Sequence, residues 1–456
     1  MNYITGNKKI IFSKDLTYEL QYKSNNAYGT KINELLLVAV GLAVKRTTKQ
    51  SCIHVSVESY GRQAIDGHVQ VDRTVGWFTS TYPVKLDISY EEIGKNIISV
   101  KEILRQVPNE GIGYGVLQLG DKHQFLKDKP DIGFNYFGTI ENTIIQSNSG
   151  MRYSGLDTGL SIADENGAVT NDILFNGMIV KDQLEFDIYY NKKKFDDDFI
   201  EKIKGNFDYA VKSIIKHCTE QTKRIVTQSD YQIYDLNYEE FYSILQKYGE
   251  DNIEKIYDLS SMQEGMLYHK LKDHNSTSYH IQIDWRLTGE VEVDKLKQAI
   301  QFLSRQFEVF RIAIVYSRIS NAKQVVLKDR NIEVAEYNLI KLNKNEQENE
   351  IEIIKLRDLK RGFDLQNDSL IRMYLIQEDK ANIRIIWSFH HIILDGWCLN
   401  IVKNKLIDNY NCLISQKSDL NIIKNSNIKF HYDQYITWLR KQNNEKSVEF
   451  FLDFLK

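Results

Sequence analysis

Apolar positions along the chain recur with two different spacings. Lys31 to Val44 (KINELLLVAVGLAV) is apolar on most sides of a 3.6-residue repeat and predicts a buried helix. His54 to Glu58 (HVSVE) and Leu184 to Tyr190 (LEFDIYY) alternate and predict strands, and Thr81 to Leu86 predicts another. Helical spacing returns over Ile93 to Val107, where Pro108-Asn109 stops it, and over Asp197 to Ile215. From Thr219 to Asn252 the core pattern lapses. Thr-Gln-Ser-Asp at 227–230 and a short acidic helical run, Asn237 to Tyr248, predict a linker there. Beyond it, Val291 to Phe302 predicts a helix, Arg384 to Phe389 (RIIWSF) a buried strand, and Trp397 to Asn411 a second helix. The chain thus divides into segments 1–218, 219–252 and 253–456. No repeat with a period of roughly 20–50 residues recurs, so a solenoid is excluded.

Composition changes this picture little. Hydrophobic residues at 42% and charged residues at 27% are ordinary for a soluble globular protein of 456 residues. A net charge of -3 gives no reason to expect nucleic acid or an anionic membrane as partner. The longest apolar runs, such as Leu35 to Val40, fall far short of the ~20 residues that span a bilayer. Met1-Asn2-Tyr3 opens no signal-peptide pattern, so the expected location is cytoplasmic. Cys52, Cys218, Cys398 and Cys412 form no C-x-x-C pair and have no histidine cluster beside them. Buried free thiols are expected, with no metal and no disulfide framework.

Candidate chemistry is densest at His390-His391-Ile392-Ile393-Leu394-Asp395-Gly396-Trp397, between an expected buried strand and an expected helix. A histidine at a strand end is held on a rigid element. Its neutral imidazole can take a proton from an attacking nucleophile. Asp395, four residues on, can orient the turn or pair with an arginine. Gly396 suits a backbone position without room for a Cβ.

HHIILDGW resembles the active-site motif of non-ribosomal peptide synthetase condensation domains. The same segment carries Leu259-Ser260-Ser261-Met262-Gln263-Glu264-Gly265-Met266-Leu267, which is similar to the family's opening motif. Glu308-Val309-Phe310-Arg311 and Gly362-Phe363-Asp364-Leu365 are similar to its E-x-L-R-T and PFDL stretches. The resemblance implies that His391 is catalytic and that Asp395 is structural; His390 is read as supporting, and Arg311 is the candidate partner of Asp395. Gln306-Phe307 stands where the family writes Arg-His, and Ile312 where it writes Thr.

The first segment resembles the epimerization domains of the same superfamily. Lys31 to Leu37 is similar to their Q-I-N-D-L-L-L helix. Arg73-Thr74-Val75-Gly76-Trp77-Phe78-Thr79-Ser80 reproduces RTVGWFTS. Pro108-Asn109 with Gly111-Ile112-Gly113-Tyr114-Gly115 is similar to PNKGIGYG, and Gly133-Phe134-Asn135-Tyr136-Phe137-Gly138 to FNYLG. Val57-Glu58-Ser59-Tyr60-Gly61-Arg62-Gln63 stands where the family writes V-E-G-H-G-R-E. Glu58 then occupies the place of the catalytic glutamate. Tyr136 falls near the cleft, where it would hydrogen-bond an enolate or serve as a core tyrosine.

These resemblances imply an α/β fold of two chloramphenicol-acetyltransferase-like lobes, mixed sheets flanked by helices and joined by the linker. The first segment carries second-lobe motifs of an epimerization domain, and the second carries first-lobe motifs of a condensation domain. Each site is therefore expected to be incomplete in this chain. No cofactor is expected to be bound. Substrates would arrive on the 4'-phosphopantetheine of partner carrier domains, and complementary lobes of the synthetase are further expected partners. The order implies a D-to-L type of condensation. Two alternatives stay open at this point: a non-catalytic remnant or docking protein, and a stand-alone CoA-dependent acyltransferase using His391.

Overall fold

The computed structural model describes residues 5–62, 71, 73–119, 130–139, 171–273, 276–415, 431–442 and 444–455. Gln63, Phe430, Lys456 and the opening Met1-Asn2-Tyr3 lie outside them. The chain forms two compact units, divided between Asp230 and Tyr231.

The first unit is built on a six-stranded mixed sheet. Its strands are β1 (Thr5–Ile11), β2 (Cys52–Ser59), β3 (Ser80–Asp87), β4 (Ile132–Thr139), β5 (Ile173–Val180) and β6 (Gln183–Asn191), in the order β1-β6-β5-β4-β2-β3. β4 runs parallel to both β2 and β5, and the other pairings are antiparallel. Helices α1 (Lys14–Tyr22), α2 (Ile32–Thr48), α3 (Ile93–Gln106), α4 (Ile112–Leu119) and α5 (Asp197–Thr219) complete it. Val55, Val57, Phe134, Phe175, Phe186 and Ile188 are buried on one sheet face, and Phe186 packs on Phe207 of α5 at 5.0 Å between ring centroids. α2 is buried from Leu35 to Gly41 because its sequence is apolar all round, as its pattern predicts.

The second unit holds a three-stranded sheet of β7 (Ile253–Asp258), β9 (Ile312–Val315) and β10 (Lys323–Leu327) in the order β7-β10-β9. It also holds a four-stranded sheet of β8 (His280–Thr288), β11 (Glu333–Asn338), β12 (Ile371–Gln377) and β13 (Asn382–His390) in the order β11-β12-β13-β8. Its helices are α6 (Tyr238–Tyr248), α7 (Ser261–Lys272), α8 (Val293–Gln306), α9 (Lys344–Arg361), α10 (Cys398–Ile414), α11 (Tyr432–Arg440) and α12 (Asn444–Phe454). One core joins Leu296, Ile300 and Leu303 of α8, Ile385, Trp387 and Phe389 of β13, and Val402 and Leu406 of α10. No described helix is long and apolar enough to cross a membrane.

The stretch 219–252 is not a free linker. Its first part belongs to the first unit. Ser229 donates from its N–H and hydroxyl to Glu102 at 3.0 and 2.7 Å, and the Asp230 carboxylate accepts from buried Lys101 at 2.8 Å. Its second part belongs to the second unit. Tyr248 Oη donates to the Gln366 carbonyl at 2.9 Å, and Glu240 accepts from the Ser320 N–H at 2.7 Å. Polar side chains of the stretch thus anchor each part to its own unit. The expectation of four buried thiols is also corrected. All four cysteines are free, but only Cys218 is buried, and Cys52 is exposed at the start of β2.

Candidate active site

β13 ends at His390, whose N–H donates to the Leu370 carbonyl at 3.0 Å. The next residue leaves the ladder, and its N–H donates to the Tyr279 carbonyl at 2.7 Å. His391 is half-buried, and its Nδ1 lies 2.6 Å from the Leu394 carbonyl oxygen. A carbonyl only accepts, so the proton of the neutral ring sits on Nδ1 and Nε2 carries the free lone pair. That is the tautomer a general base requires.

His390 behaves differently. It is 3% exposed, and its Nδ1 accepts the Ile392 N–H at 3.1 Å. Burial, with lesser repulsion from Lys270, His280 and His391, pushes its pKa down to about 3. The ring is therefore neutral at physiological pH and shapes the turn that His391 occupies. Gln263 braces the same turn. Its side chain donates to the Ile392 carbonyl at 2.9 Å while its Oε1 accepts the Ser260 N–H, closing a capping box at the start of α7. The opening motif of this segment thus touches the histidine turn directly, a role that spacing alone did not predict.

Two expectations at this turn are corrected. Asp395 does not pair with Arg311. Its side chain is exposed and accepts the Cys398 N–H at 3.0 Å, at the start of α10. Hydrogen bonding from Cys398 lowers its carboxyl pKa. Arg311 is buried elsewhere, donating to the Ser304 carbonyl at 2.8 Å and to Glu254 at 2.5 Å. Gly396 has open space around the position of a Cβ and no left-handed backbone, so nothing there requires glycine. Asp395→Ala is accordingly expected to lower stability by about 0.5–1.5 kcal/mol, the cost of one lost side-chain hydrogen bond, as read by urea unfolding. A buried ion pair would instead cost roughly 3–5 kcal/mol. The Gln306 departure is accommodated within the core, where Gln306 and Asn409 exchange side-chain hydrogen bonds at 3.1 and 3.0 Å.

In the first unit, Glu58 lies near the end of β2, opposite Thr81 of β3. The side chain is largely open to solvent, yet the surrounding protein withdraws enough water to raise its carboxyl above the ordinary glutamate range. Gly61 follows with φ +71°, and a Cβ there would meet the Phe78 carbonyl oxygen at 1.6 Å. Arg62 donates to the Thr74 carbonyl at 2.8 Å and stacks 4.1 Å from the Phe78 ring centre. The V-E-S-Y-G-R and RTVGWFTS motifs are therefore one packed structure, from which Trp77 projects 91% exposed.

Tyr136 is not brought to Glu58. Val57 pairs with Phe134, so strand alternation places Tyr136 on the helix-covered face with Phe134. Glu58 falls on the opposite face, with Asn135. Burial pushes the Tyr136 phenol up to about 12, which suits the core role. Asn176 was not singled out by its sequence. It pairs with Asn135 across β4 and β5, is buried on the Glu58 face, and its Oδ1 has no partner among the described residues. No group of metal-binding side chains occurs among the described residues.

A family model for the condensation domain matches residues 2–236 and 253–455. The chain belongs to the condensation-domain family. Bacitracin synthase 1 of Bacillus licheniformis is 35% identical over 449 residues, covering 97% of this chain and 8% of that protein. Bacitracin synthase 3 of the same organism is 34% identical over 453 residues, covering 98% of this chain and 7% of the relative. The chain thus spans a small fraction of either synthase. Among solved structures it is similar to the epimerization domain from the third module of tyrocidine synthetase B. That match has 30% identity, covers 48% of this chain and 49% of that one, and has a TM-score of 0.43. The two chloramphenicol-acetyltransferase-like α/β lobes expected of this family agree with the two mixed α/β units.

Proposed function

We propose that this condensation-domain chain serves a non-ribosomal peptide synthetase through two half-sites, one for epimerization and one for peptide-bond formation. The observation that carries the reading is the His391 ring, with its proton committed to the Leu394 carbonyl and its Nε2 lone pair free. In the condensation step the amine of an acceptor aminoacyl thioester attacks the donor thioester carbonyl. The C–N bond forms, the C–S bond breaks, and the carrier sulfur leaves as a thiolate, which takes up a proton afterwards. His391 Nε2 accepts the proton that the amine loses. Both substrates would be presented on phosphopantetheine arms of carrier domains.

In the epimerization half-site, Glu58 moves the α-proton of a carrier-bound aminoacyl thioester. The thioester carbonyl delocalises the resulting charge. The partial desolvation that raises the Glu58 carboxyl supports this role, because a stronger base takes the proton more readily at neutral pH. Complementary lobes would supply the opposing face of each cleft, including a histidine across from Glu58. An epimerization unit ahead of a condensation unit implies a D-configured donor.

Glu58→Gln tests the first half-site. The amide keeps the shape but accepts no proton at neutral pH. With a complementary epimerization lobe present, the variant is expected to lose α-deuterium from a labelled carrier-bound substrate on the order of 10²–10⁴ times more slowly. Unchanged wash-out would remove Glu58 from the chemistry. It would favour a non-catalytic first unit, whose departures at Ser59 and Tyr60 adjoin the reaction centre.

A further inference from the structure

One buried carboxylate lies behind the histidine turn. Asp358 of α9 is 2% exposed and is met by five side chains from β8, β12 and β13. Its Oδ1 accepts from Tyr374 Oη at 2.7 Å and pairs with Arg372 at 2.9 Å. Its Oδ2 accepts from Gln282 at 2.7 Å and from the Ser388 hydroxyl, and lies 3.0 Å from His280 Nε2. Burial alone would raise this carboxyl, but the hydrogen bonds from His280, Ser388, Tyr374 and Gln282 outweigh it and hold the group far below the carboxylate range.

The donor inventory fixes the His280 tautomer. The Ser388 hydrogen is committed to Asp358, so Ser388 Oγ, 2.7 Å from His280 Nε2, can only accept. His280 Nε2 therefore carries a proton, and the Nδ1 of the neutral ring is an acceptor. That Nδ1 is buried without a partner among the described residues. His390 is the strand partner of His280 in the β13–β8 ladder. Its Nδ1 is taken by the Ile392 N–H, so its proton sits on Nε2, which is likewise buried without a partner among the described residues. Paired positions on adjacent strands share a sheet face. Here they carry one buried donor and one buried acceptor.

We propose that Asp358 and His280 are positioning residues for His391. The proposal rests on the reading of His391 as the condensation base. Asp358 orders His280 and Ser388. These lock the end of β13, with Ser388 on the same strand face as His390 and His280 directly across from it. His390 in turn holds the Ile392 N–H, and so the turn in which His391 keeps its proton on Nδ1. The active tautomer of the half-buried His391 ring is thus set from the buried side of the sheet.

The test is the nitrogen-15 spectrum of the histidine rings in the full chain at neutral pH, beside amide formation with a complementary condensation lobe. The wild-type chain is expected to show Nε2–H at His280 and His390 and Nδ1–H at His391. In Asp358→Asn, both His280 and His391 are expected to become tautomer mixtures. kcat should fall on the order of 10–10²-fold while KM for the carrier-bound substrates moves less than about twofold. Removing the carboxylate also strips Arg372 of its counter-ion, so Ser388→Ala, which leaves that pair intact, is measured in parallel. A His391 ring that stays wholly Nδ1–H in either folded variant overturns the proposal, whatever the rate. Absence of amide formation by the wild-type chain with its complementary lobe would overturn the reading of His391 as base. The tautomer comparison would still decide the coupling.

Discussion

His391→Ala is expected to form amide on the order of 10²–10⁴ times more slowly than wild type when a complementary condensation lobe is supplied, with its melting temperature unchanged. The ring is half-buried, and its hydrogen bond runs to a carbonyl three residues away, so its loss leaves no distant group unsatisfied. His390→Ala should show a smaller rate loss, because it acts on the chemistry only by shaping the turn. It should also be the less stable of the two, since it removes a buried side chain and leaves the Ile392 N–H without its acceptor. Single-turnover kinetics beside thermal melting separates the two roles. A larger rate loss for His390→Ala than for His391→Ala would reverse the assignment.

The second large effect is on stability against pH. The folded His390 ring has a pKa near 3, against an unfolded value of 6.5. Below pH 6.5 the unfolded chain binds a proton that the folded chain refuses, so stability falls as pH falls. The contribution is complete above about pH 6.5 and disappears toward pH 3. A shift of this size corresponds to roughly 3–5 kcal/mol in total. Urea unfolding between about pH 6.5 and 5.5 reads the onset of this loss, because carboxylates stay ionised there in both the folded and the unfolded chain. Tryptophan fluorescence reports the second unit, which holds Trp285, Trp387, Trp397 and Trp438 of the five tryptophans. His390→Asn, whose side-chain oxygen can still accept the Ile392 N–H, should flatten this dependence. An equally steep dependence in that variant would place the titrating group elsewhere.

How much of this was legible in the sequence depends on how local each cause is. The helix at Ile32–Thr48 and the strands at Cys52–Ser59 and Asn382–His390 follow from period and apolar content, and the structure extends each by only a few residues. The His391 turn was legible because its motif is contiguous. α9 escaped notice because Lys344–Arg361 is charged on most of its surface and buries only Gln347, Ile351, Ile354 and Asp358. Asp358 itself could not be singled out. His280 and Ser388 lie 78 and 30 residues from it in sequence, and only the β13–β8 pairing brings them together. The Arg311–Asp395 pairing failed for the same reason. Two charges in one motif set say nothing about which nearer partner captures each, and here Glu254 takes the arginine while the first turn of α10 takes the aspartate.

The most direct measurement is single-turnover dipeptide formation by the 456-residue chain, with a complementary condensation lobe and with donor and acceptor aminoacyl groups loaded on their carrier domains. Dipeptide is expected when the lobe is present, faster from a D-configured donor than from its L form. Without the lobe the yield should drop to background, because the proposed half-cleft would admit water and position neither substrate. No dipeptide with every component present, or an equal yield without the lobe, would contradict the assignment of this chain as a half-site for peptide-bond formation.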